Sequence, residues 1–172
     1  MAASRVSGHC LVAPADLLLT YMNADTPRLS TNSAGAGHLN SVHGVYLRDP
    51  VRELGRESLP LASLTSMTLV GAETVGRAYG GGMLKVEPKE ADRLPVASPA
   101  LIEAARDQLE AIRPAVAELL GRGALLEAVT LVDDVLLVGQ LGLSPAEVKE
   151  LREAYVELSG RRAARGTSMR GR

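Results

Sequence analysis

The chain has 172 residues, 46% of them hydrophobic, and 19 Lys and Arg against 20 Asp and Glu give a formal net charge of −1. That is the length of one ordinary domain, or of a small domain with a helical appendage. It excludes a globally basic nucleic-acid binder, so any phosphate contact must come from local clusters of Arg and Lys.

Without Phe or Trp and with only four Tyr, the core must be built from Leu, Val, Ala, Ile and Met. The tyrosines are scattered, which argues against an aromatic platform for single strands. A single cysteine, Cys10, rules out an internal disulfide framework and a Cys-rich zinc site and fits a reducing cytoplasm. No charged segment followed by an apolar run of signal-peptide length opens the sequence. No stretch reaches the roughly 18 continuous apolar residues of a membrane span.

In chain order, short apolar runs broken by Asn, Ser, Gly and Pro predict a β-meander up to residue 47. Its strands are residues 17–22, 28–32 and 38–47, with a turn at 23–27 and a small-residue loop at 33–37. Residues 50–56 connect to a helix over 59–79, supported by Leu61, Leu64, Met67 and Thr68 and weakened by Gly71 and Gly76. Gly80, Gly81 and Gly82 read as its C-cap and turn. Residues 83–87 alternate apolar and charged side chains like a half-buried strand, and Pro88 suits the first turn of a short helix ending near Leu94 and Pro95.

From Pro99 onward three amphipathic helices are expected, at 99–120, 124–140 and 144–159, with a kink or interruption at Pro114. The last has the clearest start signal: Ser144 as N-cap, Pro145 in the first turn, Glu147 three residues after the cap. Its apolar face is Val148, Leu151, Tyr155 and Leu158. Acidic Glu147, Glu150, Glu153 and Glu157 give way to a basic tail of Arg161, Arg162, Arg165, Arg170 and Arg172, whose composition predicts a disordered end over 161–172. The expected class is α+β, with an N-terminal unit over 1–98, a helical segment over 99–160 and that tail.

No catalytic constellation emerges. His38 and His43 are five apart and point to opposite faces of an extended strand, so they cannot share a metal without a bulge, and local hydrogen bonding is their simplest role. His9 sits near the chain start. Asp133 and Asp134 are neighbours, 100° apart on a helix, and do not converge on one proton; a solvated or Arg-paired face explains them. The three glycines lie between helix and strand, the reverse of a nucleotide-binding loop. Arg28, Asn32, His38, Asn40 and His43 lie close together among small residues. Asn can bond adenine bidentately and Arg can pair with guanine or phosphate, although Asn and Ser also populate ordinary turns.

Three stretches read together carry a resemblance. Tyr21-Met22 through Pro27-Arg28-Leu29-Ser30-Thr31-Asn32, then Gly35-Ala36-Gly37-His38-Leu39-Asn40-Ser41-Val42-His43-Gly44, resemble a passage of adenine-N6 DNA methyltransferases: a prolyl-arginyl strand, an asparagine, then His-x-Asn-x-x-His. Residues 76–90, ending in Leu94-Pro95-Val96, are similar to the same proteins just downstream. The resemblance covers residues 15–97 and implies the target-recognition region, as in TaqI-like specificity domains. It implies contact with double-stranded DNA through Arg28, Asn32, His38, Asn40 and His43, with Lys85 and Lys89 on phosphates.

The same family catalyses with a Gly-containing loop that holds S-adenosylmethionine and an Asn- or Asp-Pro-Pro-aromatic motif for the flipped adenine. This sequence has no Pro-Pro pair, and Asp49-Pro50-Val51 lacks the second proline and the aromatic. The expectation is a recognition module, or a truncated remnant, of a restriction-modification enzyme. It would carry no catalytic residue, no metal and no cofactor of its own, the methyl donor belonging to a separate catalytic subunit. The alternative is a helical protein-interaction module with no DNA role. A small enzyme using His38 or His43 is the weakest reading, since neither has an acidic or nucleophilic neighbour at useful spacing.

Overall fold

The computed structural model describes the backbone of residues 14–168 and the side chains of residues 14–166. His9, Cys10, Arg170 and Arg172 lie outside the described residues. The class is α+β, as expected. Two three-stranded antiparallel sheets are formed by β1 (Leu17–Thr20), β2 (Met22–Asn23), β3 (Leu29–Thr31), β4 (Val42–Val45), β5 (Arg77–Tyr79) and β6 (Met83–Lys85). The helices are α1 (Arg52–Ala62), α2 (Ser66–Val75), α3 (Pro88–Ala91), α4 (Pro99–Ala104), α5 (Arg106–Gly121), α6 (Leu125–Asp133) and α7 (Pro145–Ser168). A π-helical segment, Asp134–Gln140, continues α6.

The first sheet has the order β3-β1-β4 and the second β2-β6-β5. The expected meander order is therefore not the one formed, because β4 pairs with the free edge of β1 rather than with β3. One strand serves both sheets. Up to Thr20 it pairs with β3 and β4, and from Tyr21 it turns to β6, with the Val86 N–H donating to the Tyr21 carbonyl at 3.0 Å.

The single helix expected over 59–79 is two helices and a strand. Residue 50 is a proline inside a short 3-10 turn, from which α1 starts directly at Arg52. Pro60 lies within α1 and cannot donate to the Arg56 carbonyl one turn back. The Thr31 hydroxyl fills that vacancy at 2.6 Å and pins β3 to the helix. Thr65 ends the run by capping α2, its side chain accepting from the Thr68 N–H at 3.2 Å. Gly76, not the glycine triplet, then caps the C-terminus of α2. The triplet is the turn between β5 and β6, with Gly81 and Gly82 at φ 76° and 79°, a region that disfavours side chains.

The expected helix over 99–120 breaks at Ala105 (φ −102°, ψ 7°), not at Pro114, which sits inside α5. The largest apolar cluster joins Leu61, Ala62 and Leu64 to Ile102, Leu109, Val116, Val132 and Leu136, so α1 and the later helices share a core across residue 98. Each such Leu or Val contributes about 1.5–3 kcal/mol on burial.

The start of α7 is the expected one: Glu147 accepts from the Ser144 N–H and hydroxyl, both at 2.8 Å. Its end is not. The tail read as disordered from 161 remains helical to Ser168, and Arg162 is buried at 3% exposure. Among the described residues no helix is long and apolar enough to cross a membrane, and no cluster of three or more His, Cys, Asp or Glu could hold a metal ion.

Candidate nucleic-acid interface

Register decides what the second sheet presents. Lys85 on the central strand lies opposite Met22 on one side and Arg77 on the other, and Met83 lies opposite Tyr79. Directly paired residues of antiparallel strands share a face, and so do residues two apart. Met22, Arg77, Tyr79, Met83 and Lys85 therefore form one face, while buried Asn23 and Leu84 form the other. Tyr79 is 56% exposed and the Arg77 side chain 70%.

Lys85 is held at the middle of this face. Its Nζ lies 2.6 Å from Glu87 and sits over the rings of Tyr21 and Tyr79, 5.1 and 5.3 Å from their centroids. The hydrogen bond to Glu87, and next the Tyr21 hydroxyl, raise its pKa above the ordinary lysine value, so it stays cationic throughout the physiological range. Glu87 shifts the other way, chiefly through Lys85. Two tyrosines that are scattered in the sequence thus converge on one ammonium. Arg77 pairs with Glu90 through Nε, which leaves its terminal amino groups for a further acceptor. Glu90 in turn accepts from the Glu87 N–H at 2.8 Å in the capping box of α3.

A nine-residue loop, 33–41, leads into β4, and every residue in it is exposed. Its last carbonyl, Ser41, accepts from the Tyr21 N–H at 3.4 Å. The loop carries His38, Asn40 and Leu39, the last 80% exposed. Asn32 fixes its root: Nδ2 donates to the Ala15 and Ala36 carbonyls and Oδ1 accepts from the Ala36 N–H, each at 2.9 Å.

The expected contact residues separate on these grounds. Asn32 is 4% exposed with its amide fully engaged, so it shapes the loop and cannot reach a base. His43 faces inward beside Leu19; its Nε2 is 2.8 Å from the Val86 carbonyl and its ring stands edge-on to Tyr21 at 5.2 Å, which joins the two sheets. Bonding to a carbonyl requires that nitrogen to carry the proton. Arg28 pairs with Asp25 and lines a groove with Leu29, Pro60 and Arg113, between α1 and α5. His38 covers Gly44 on the outer face of the first sheet, where any β-carbon on residue 44 would strike its ring. His38, Asn40, Lys85 and Lys89 remain accessible, with Lys85 the most enclosed.

Arg77, Tyr79, Tyr21 and Met22 are not among the expected contact residues, although all four lie in the stretches that carry the resemblance. Their sequence signal is the alternation Arg77-Ala78-Tyr79, which the expected helix over 59–79 masks.

Replacing Asn32 with alanine should leave two carbonyls and one N–H of the loop root without partners. The expected loss is about 1–3 kcal/mol in a urea melt, with faster proteolysis confined to residues 33–41. An unchanged midpoint and cleavage pattern would remove Asn32 as the anchor.

A model of the family described as the C-terminal domain of type II methyltransferase M.Eco57I matches residues 10–137. A curated relative, the type II methyltransferase M.XamI of Xanthomonas campestris pv. amaranthicola, is 39% identical over 89 residues, which are 51% of this chain and 16% of that protein. The chain thus spans well under two thirds of the length of that relative. No solved structure matches. With most of its residues inside the match, the chain belongs to the family of the type II methyltransferase M.Eco57I C-terminal domain.

Proposed function

We propose that this chain is the DNA-recognition part of an adenine-N6 methyltransferase of a restriction-modification system. In this reading it acts in the cytoplasm on double-stranded DNA and performs no methyl transfer alone. S-adenosylmethionine and the target adenine are held by a catalytic partner. The observation that carries the reading is the register placing Arg77, Lys85 and Met22 side by side on one face of the second sheet, with loop 33–41 ending at the Tyr21 N–H.

β5 and β6 form the hairpin of the three-stranded second sheet, with β2 on the other edge of β6. Its tip is blocked, because Gly82 is buried against α7. The sheet therefore meets DNA by its face, and that face carries cations suited to phosphate oxygens rather than base-reading amides. Base edges fall to the loop. Asn40 can bond adenine bidentately and His38 can donate or accept, while Lys89 extends the phosphate contacts.

Fluorescence anisotropy on a panel of duplexes over a salt series tests this. Lys85→Gln and Arg77→Gln should weaken binding to all duplexes alike and each lower the salt slope by about one. Asn40→Ala should instead narrow the differences between sequences. Equal and salt-independent affinity of wild type and variants for every duplex would reject the reading.

A further inference from the structure

The last turns of α7 lie on the glycine turn without an intervening side chain. A β-carbon on Gly82 would come within 3.0 Å of the Ala163 α-carbon, and one on Gly166 would overlap the backbone of Gly81 and Gly82. Arg162, adjacent to Ala163, enters the same contact and is 3% exposed. Its Nε donates to both Glu73 oxygens at 3.0 and 3.2 Å, and one terminal nitrogen donates to Glu73 at 2.8 Å. The terminal nitrogens also reach three backbone carbonyls: Ala24 at 3.3 Å, Asp25 at 3.0 Å, and Gly82.

These partners are not a random set. Ala24 follows directly after β2, Gly82 directly precedes β6, and Glu73 lies in the last turn of α2, which leads through Gly76 into β5. One guanidinium therefore ties together the entry or exit of all three strands of the second sheet. The helix that supplies it, Pro145–Ser168, lies beyond residues 10–137 that match the family.

We infer that α7 is a clamp on the second sheet and that Arg162 is a positioning residue for the face bearing Arg77 and Lys85, setting the affinity for duplex DNA without touching it. The affinity consequence rests on the DNA reading above; the clamp itself does not. Arginine is required by the geometry. A planar fork with five N–H donors can serve a carboxylate and three carbonyls at once, whereas a lysine ammonium is a point charge with three.

The test uses the full chain with Arg162→Lys, Arg162→Met and Gly166→Ala, the last pushing the helix off the turn with no change of charge. Hydrogen exchange should accelerate about tenfold or more at the amides of β2, β5 and β6 in all three, and by more there than in α5 and α6, as loss of bonds from a charged donor predicts. Duplex affinity should fall by a similar factor while the salt slope stays that of wild type, since no phosphate contact is lost. Unchanged exchange in the three strands, or full function of Arg162→Lys, would overturn the clamp. If wild type binds no duplex, the DNA reading fails by itself and the exchange data still decide the clamp.

Discussion

Replacing Glu73 with alanine should cost about 3–5 kcal/mol of folding stability, the effect of leaving one partner of a buried ion pair uncompensated. The Glu73 and Arg162 side chains are each 3% exposed, and nothing but Glu73 neutralises the guanidinium among its hydrogen-bond partners, which are otherwise carbonyls. An isolated pair of this kind can often be exchanged for apolar residues with little loss. Here the exchange should fail. A Glu73→Leu, Arg162→Met chain removes the charge problem but strips donors from Ala24, Asp25 and Gly82, at about 1–3 kcal/mol for the buried Gly82 carbonyl. Urea midpoints for the single and double variants measure both claims. A double variant as stable as wild type would show that neither the carbonyl bonds nor the pair adds net stability.

The same contact shows why local pattern misread the end of the chain. Residues 161–172 have the composition of a solvated basic tail, and Arg161 behaves that way, pairing with Glu157 on the surface. Arg162 differs from it only in what lies 80 to 138 residues earlier. The helix over 59–79 failed for a related reason. Its apolar spacing runs straight through Ser63-Leu64-Thr65, and what ends α1 and starts α2 is Thr65 capping together with a carboxylate 67 residues away. By contrast, signals complete within one turn were readable. The Ser144 and Glu147 box and the alternation at Met83-Leu84-Lys85 both appear as expected.

The candidate face is only partly legible in the sequence. Lys85 enters through the resemblance, on a strand whose alternation is clean, and the loop residues His38 and Asn40 enter as polar groups among small ones. Residue type could not separate Asn40, which is exposed, from Asn32, which is buried with its amide engaged. Nor could it bring Tyr21 and Tyr79 to one lysine. That convergence depends on a strand that leaves one sheet at Thr20 and joins another at Met22.

The adjacent carboxylates Asp133 and Asp134 make the second large prediction. Asp134 is exposed, but Asp133 is fully buried, accepting from the Ser66 N–H at 2.8 Å, the Ser66 hydroxyl at 2.6 Å and Arg152 Nε at 3.3 Å. It satisfies the first turn of α2 from another helix. Asp133→Ala should therefore cost about 2–4 kcal/mol, combining a lost cap with a stranded buried N–H. Burial pushes the Asp133 carboxyl above its ordinary range, against the opposing pull of Ser66 and Arg152. The folded chain then holds that proton more tightly than the unfolded chain, so the contribution is largest in acid and falls as pH rises between the unfolded and folded values.

Asp16 has the opposite sign. The Leu47 N–H, at 2.8 Å, with Arg52 and Arg56, holds its carboxyl below the ordinary range, so its contribution is present near neutrality and is lost as pH falls. Melts of Asp133→Asn and Asp16→Asn between about pH 4 and 7, around the ordinary carboxylate value near 4, should diverge. The cost of Asp133→Asn should shrink with rising pH and that of Asp16→Asn should grow. Parallel pH profiles for the two variants would show that burial does not dominate at Asp133.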